Sequence, residues 1–309
     1  VSQFKGTYVF KQNGVEIGRS TNLITSNGRK MILQFLSGAR QDWAADMAIG
    51  AMPSPTPALS DTQLNFETSR YPVVLKTFIS ANTIASNPDL ILVRATLPAS
   101  LYANIYEIGL YAVADASFST STRNNIILDD FSNLSNWSMS AGTVIPNPYV
   151  AQGYSSPRIG SNSVSFLPST TYTNSNLSIG FSNYTVQDSL QLLLFNTTSG
   201  TINVTITDVS GINQTLTFTT TANSNYSVIS VPFDTGLSGS TNSIFNFTKI
   251  TSISVATGAS TYATIDAIKV SSSSELSVEE SLVSKSVLST PIAKNPNVPL
   301  DVEYYVEML

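Results

Sequence analysis

The sequence contains no cysteine and no histidine. The first absence excludes disulfides, thiolate nucleophiles and cysteine-built zinc sites. The second removes imidazole general bases and the commonest transition-metal ligand. Charge is also scarce: 11% of residues are Asp, Glu, Lys or Arg, against about 25% in average soluble domains. The polar surface must therefore come largely from hydroxyls and amides. With a net charge of −5 and no basic cluster, nucleic acid is not an expected partner. No apolar run approaches the roughly 18 residues needed to cross a bilayer, so no membrane insertion is expected. The first residues lack the basic-then-apolar form of a signal peptide, and export by lysis or inside a particle is the expectation.

What is present is unevenly distributed. Residues 129–273 carry three basic side chains (Arg158, Lys249, Lys269) and six acidic ones (Asp129, Asp130, Asp188, Asp208, Asp234, Asp266). The remaining twelve basic and fourteen acidic residues all lie in the flanks. Between short apolar runs the middle is filled with Ser, Thr and Asn. A composition change at two points predicts one domain spliced into another. The expected division is a discontinuous domain of residues 1–125 plus 274–309 and an inserted domain of residues 126–273.

The flanks read as a small α+β domain, an antiparallel sheet with one helix. Thr7–Lys11 and Val15–Arg19 alternate around Asn13-Gly14, a pair that suits a type I′ hairpin turn. Residues 29–36 are predicted as a helix with Ile32, Phe35 and Leu36 on one face, a Ser or Thr N-cap and Gly38 past its end. Strands are predicted at Met47–Gly50, Tyr71–Ile79, Leu90–Leu97 and Ile105–Val113, with a stiff proline loop from Pro53 to Pro57. Residues 275–289 fit either a helix carrying Glu279, Glu280 and Lys285 or a strand through Leu282-Val283 and Val287-Leu288. Residues 300–308 alternate with period two, a half-buried strand expected to close the N-terminal sheet. In the middle, Ser189–Phe195, Ile202–Thr207, Thr215–Thr221, Tyr226–Val231, Ile250–Val255 and Thr264–Val270 recur with polar turns between them, the pattern of a β-sandwich. The fold class is thus mainly β.

Three charged residues of the flanks, Glu67, Arg70 and Glu107, sit beside apolar strands. Two readings stand: a partly buried ion pair that fixes strand register or a subunit contact, or solvated strand-edge charges.

The flanks also present an ordered set of fragments: Asn22-Leu-Ile-Thr25, Gly28 and the helix, Ala48-Ile-Gly50, Asp61–Leu64, Glu67–Arg70, Leu97-Pro98, Ile105-Tyr-Glu-Ile-Gly-Leu-Tyr111 and Pro291–Lys294. This order resembles structural proteins of tailed bacteriophages, in particular tail-fibre, baseplate and related accessory subunits. The resemblance implies a virion protein whose partners are other virion proteins and copies of itself. A tail location is preferred, with a capsid or neck decoration as the alternative.

In the middle, Asp129-Asp-Phe131, Trp137 and Ile265-Asp-Ala-Ile-Lys-Val270 resemble the first and last strands of a carbohydrate-binding-module-like jelly roll. The resemblance implies paired domain ends, which suits insertion into a host loop. It also implies a structural calcium ion held by Asp130 (or Asp129) and Asp266; the other reading is a pair of capping or turn-forming aspartates. No other cofactor is expected. Related modules bind sugars on aromatic platforms, and Tyr149, Tyr154, Tyr172, Tyr184, Tyr226, Phe245 and Tyr262 are available rings, though core packing is the commoner fate of an aromatic in a small sandwich. Trp137 is expected beneath a loop. Nine Asn-x-Ser/Thr triplets, beginning at Asn133, Asn136, Asn176, Asn183, Asn196, Asn203, Asn213, Asn225 and Asn246, follow from composition.

Catalysis has little to work with. Without His or Cys the practical route is a carboxylate pair, yet the inserted region has no Glu and its Asp residues stand apart. The chain is read as a non-enzymatic virion subunit with an outward-facing sandwich for host surface polysaccharide.

Overall fold

A computed structural model describes residues 4–40, 42–53, 55–80, 89–112, 126–140, 146–147, 159, 162–180, 188–223, 226–236, 245–271 and 281–308. The chain divides into two compact units, Val1–Thr120 with Glu275–Leu309, and Ser121–Ser274. Both are built from antiparallel strands.

In chain order the first unit begins with β1 (Phe4–Gln12), β2 (Val15–Thr21), β3 (Leu23–Ile24), helix α1 (Ser26–Leu36), β4 (Asp46–Gly50), β5 (Glu67–Ile79), β6 (Leu90–Leu97) and β7 (Ala103–Ala112). The second contains β8 (Ile126–Asp129), β9 (Trp137–Met139), β10 (Pro146–Asn147), β11 (Ser163–Phe166), β12 (Thr171–Asn174), β13 (Ser189–Asn196), β14 (Gly200–Asp208), β15 (Asn213–Thr220), β16 (Ser227–Pro232), β17 (Ile250–Thr257) and β18 (Ala263–Ser271). The chain then returns to the first unit as β19 (Ser281–Lys294) and β20 (Leu300–Met308).

The first unit is a nine-stranded sheet in the order β2-β1-β20-β6-β5-β4-β7-β19-β3. Its hairpin turn has Asn13 and Gly14 both at positive φ (52° and 78°), the I′ geometry that matches strand twist. The alternating strand β20 lies between β1 and β6, so the chain ends meet inside one sheet. β5 joins two half-sheets: Glu67–Pro72 pairs with β4, and Val73–Ile79 pairs with β6 after a register shift at Val73/Leu75. Bulged strands are the usual way to turn such a corner. The halves close on one core that includes Tyr8, Phe10, Ile49, Val93, Ile108, Val302 and Tyr304. Burying each large apolar side chain contributes roughly 1.5–3 kcal/mol. The buried phenols keep partners: Tyr8 and Ser284 hydroxyls are 2.6 Å apart, and Asn22 Nδ2 donates to the Tyr304 oxygen at 2.8 Å. Burial pushes the Tyr304 phenol up to about 12.

The ambiguous segment resolves as strand over Ser281–Lys294, which places Lys285 beside Gly109 of β7; Glu279 and Glu280 lie outside the described residues. Helix α1 starts three residues earlier than predicted and buries a different face. Thr25 caps it, accepting from Gly28 N at 2.9 Å while its hydroxyl donates to Leu282 O at 2.5 Å. A Cβ on Gly28 would sit 2.0 Å from Val283 O, so the first turn packs directly on β19. Met31 and Ile32 are buried, whereas Phe35 and Leu36 are 38% and 61% exposed. The cap fixes the helix by its first two turns, which leaves the last turn of the predicted apolar face on the surface.

The second unit has two sheets. One runs β10-β11-β18-β13-β16, with β8 pairing β18 alongside β11; the other runs β15-β14-β17-β12-β9. Leu192, Leu194, Val204, Ile206, Phe218, Val255, Ile265 and Ile268 fill the space between them. This is the expected sandwich, with its first strand β8 and last strand β18 paired.

Candidate functional sites

Of the three charged residues singled out in the flanks, Glu67 and Glu107 share one row of the sheet, and Arg70 lies opposite Ala48 two residues along β4. Gly50 of β4 faces Glu67 of β5 on one side and Glu107 of β7 on the other. Arg70 donates to both oxygens of Glu67, at 2.5 and 3.2 Å, and its guanidinium lies 3.8 Å from the centroid of the Tyr111 ring. Both partners are largely shielded from solvent, so this is a packed pair rather than a solvated edge. Glu107 does not join it. Fully buried, Glu107 accepts three backbone N–H bonds, from Met52 at 3.2 Å, Phe66 at 3.0 Å and Asn65 at 2.7 Å. It thereby pins both ends of the 51–66 loop. Burial pushes its carboxyl above the ordinary glutamate range, while the three N–H donors and Lys285 pull the other way.

Lys285 is the member that the sequence did not mark. Its ammonium is 3.7 Å from Glu107 and 3.2 Å from Asp61, and it donates to Gln63 O and Asn65 Oδ1. The available signal was a lysine between two apolar doublets, Leu282-Val283 and Val287-Leu288, a place that a buried partner makes tolerable. This cluster is an anchor for a loop.

The acidic residues of the sandwich also act as loop anchors. Asp129 accepts from Phe131 N at 2.7 Å, Trp137 Nε1 at 3.0 Å and Asn174 Nδ2 at 2.9 Å. Burial raises its carboxyl and these donors oppose the shift. Asp208 similarly takes Ser210 N, Ile212 N and Asn246 N. The pair expected around calcium, Asp130 and Asp266, is divided between two such tasks. Asp130 accepts from Ser132 N at 3.0 Å, and Asp266, at a register shift of β18, accepts from Ile159 N at 3.1 Å. Calcium needs six to eight oxygens, and among the described residues no group of three or more acidic side chains gathers. Each of the two accepts one backbone N–H, which is the contact expected of a turn-forming aspartate.

Among the described residues, the rings available for a sugar platform do not gather on an exposed surface. Tyr172, Tyr226 and Phe245 are buried, Tyr262 is half-buried, and Tyr149, Tyr154 and Tyr184 lie outside the described residues. Trp137 is buried against Phe131 and Phe166, as expected.

The two sheets of the sandwich differ in their outer faces. On β13 and β18 most residues that do not enter the core, among them Leu193, Phe195, Asp266, Ala267 and Lys269, are buried as well, and Gln191 is half-buried. The other sheet is open. Strand β15 alternates buried and exposed along its length, and β14 does so through its first half. Its outward side chains line up across strands in uncharged rows. One row, Thr215-Thr205-Ser254-Thr173-Ser138, crosses all five strands with a hydroxyl on each. The next is Thr217-Asn203-Ala256-Thr171, and Asn213-Thr207-Ser252 lies on the other side. Neighbours within rows are hydrogen-bonded: Thr205 with Thr215 at 2.8 Å, Thr217 with Asn203 at 2.8 Å, Thr173 with Ser254 at 3.1 Å.

No protein-family model matches this sequence, and no curated protein matches it. Solved structures similar to it include a family 11 carbohydrate-binding module of a cellulosomal cellulase from Clostridium thermocellum. That match has 14% identity and a TM-score of 0.32, and covers 48% of this chain and 95% of that one. A family 30 carbohydrate-binding module of another cellulosomal cellulase from Clostridium thermocellum matches with 12% identity, 45% and 87% coverage and a TM-score of 0.32. An exo-β-agarase matches with 13% identity and a TM-score of 0.34, over 47% of this chain and 24% of that one. The chain thus spans about a quarter of the agarase's length. Likeness at this level assigns no ligand.

Proposed function

We propose that this chain is a non-enzymatic structural subunit of a bacteriophage virion, tail-associated as part of a fibre or baseplate. In this reading the discontinuous unit docks on other virion proteins and copies of itself, and the inserted sandwich adheres to host surface polysaccharide. The observation that carries it is the strand pairing at the two sets of ends. β20 sits between β1 and β6, and β8 pairs with β18, so a complete sheet carries a complete sandwich in its chain. That arrangement suits a platform bearing a binding module. The acidic groups described above are spent on loops, which favours binding over hydrolysis.

Apolar exposure on the first unit supports docking. A groove of about 360 Å³ is lined by Phe35, Trp43, Phe78, Ile91 and Val93, with the Asp42–Lys76 ion pair at its side. Phe78 is 63% exposed. Apolar patches with a polar rim mark interaction surfaces. Cryo-electron microscopy of tailed particles that carry this chain tests the reading. Density for both units at the tail is expected; recovery of the chain only from particle-free lysate overturns it.

A further inference from the structure

We infer that the outward face of the β15-β14-β17-β12-β9 sheet is where the sandwich holds a neutral polysaccharide. This rests on the glycan reading above and specifies its site and the charge class of its ligand.

The choice of sheet follows from burial. The outer side of β13 and β18 is closed, with Phe195, Ala267 and Lys269 all buried. The opposite sheet presents its rows to solvent, with Thr215, Thr217, Thr219 and Asn203 exposed. Four strand spacings of about 4.8 Å make the five-hydroxyl row roughly 19 Å long, enough to lie along several sugar units.

The choice of ligand follows from what the face contains. None of its outward residues is charged, so it offers no attraction to a polyanion and no counterion release. Each hydroxyl can donate once and accept twice, and an amide adds donors of fixed geometry. The bonds between neighbouring hydroxyls use only part of that capacity. They also hold the side chains in place, and Thr is already stiff at χ1, so ligand binding immobilises little that was free. Among the described residues the face has no exposed ring, so a single contact is weak and useful adhesion comes from many copies.

The test is affinity electrophoresis of the full chain through gels containing dextran or mixed-linkage β-glucan as neutral probes and alginate as an anionic one. Wild-type protein is expected to be retarded by a neutral probe and not by alginate. The Thr205→Val/Thr215→Val/Thr217→Val variant removes three hydroxyls and keeps the β-branched shape. It is expected to lose at least about tenfold in affinity, since each lost hydrogen bond contributes a factor of a few. Thr217→Lys, a single exposed change, provides a second block should the triple variant melt early. Wild-type retardation that both variants retain overturns this site and leaves the glycan reading standing. Retardation by alginate alone overturns the neutral-ligand assignment in the same way. Absence of retardation by every probe overturns both.

Discussion

Replacing Glu107 with alanine removes the side chain that holds the 51–66 loop at both ends. The carboxylate is fully buried and accepts from Met52, Phe66 and Asn65, with Lys285 3.7 Å away. Each buried donor left without an acceptor costs about 1–3 kcal/mol. The loop can shift and admit water, so the three losses do not add in full. Breaking a buried charged contact by removing one partner typically costs 3–5 kcal/mol. Lys285 retains Asp61 at 3.2 Å, which holds the estimate near the lower end, at about 3 kcal/mol. Against a typical domain stability of 5–15 kcal/mol, that is a large fraction. Urea titration followed by circular dichroism should show an earlier transition for the unit that contains β7. Hydrogen exchange should show Met52, Asn65 and Phe66 amides losing protection first. A variant within about 1 kcal/mol of wild type, with those amides still protected, would refute the anchoring role.

Other outcomes follow from the same geometry. Glu107→Gln keeps an oxygen for Phe66 and Met52 but turns an amide toward Asn65 N–H, so it should cost less than alanine. It also removes a titration: the native carboxyl is raised, so the protonated form favours the folded state. Its contribution is full below the unfolded glutamate pKa and is lost as pH rises through the folded one. Wild-type stability relative to Glu107→Gln should therefore fall as pH climbs from the ordinary glutamate range upward, readable from paired denaturation curves. Gly28→Ala would place Cβ 2.0 Å from Val283 O and should cost at least about 2 kcal/mol, measured as a lower Tm with loss of helix α1 protection. Asp129→Ala orphans Trp137 Nε1 and Asn174 Nδ2 and should destabilise the sandwich by about 2–4 kcal/mol, with a shift in tryptophan emission.

The sequence was most legible where a local rule decided the outcome. Asn13-Gly14 could hardly form anything but a primed turn, and residues 300–308 alternate so regularly that one face had to be core. Helix α1 was found but its face was misjudged, because Thr25 and Gly28 are docked by β19, more than 250 residues away in the chain. β19 was ambiguous because its apolar doublets suit either period, and its partner β7 settles the matter. Among the charged residues, proximity in sequence revealed the Glu67–Arg70 pair and could not reveal Lys285 as the neighbour of Glu107. Asp266 and Lys269 were invisible as buried residues because β18 is covered on both faces, which no alternation announces. The hydroxyl rows left a trace in the alternating Thr and Asn of 201–207 and 213–219. Their register across five strands is a tertiary fact.

The architecture on which the functional reading stands is tested most directly by hydrogen exchange on a chain lacking residues 300–309. Loss of β20 should strip protection from β1 and β6, at Tyr8, Phe10, Val93 and Ala95, while Leu192, Val204 and Val255 in the sandwich exchange as slowly as before. Loss of protection in both sets together, or in neither, would contradict a sandwich carried as its own unit by a sheet that the chain ends complete.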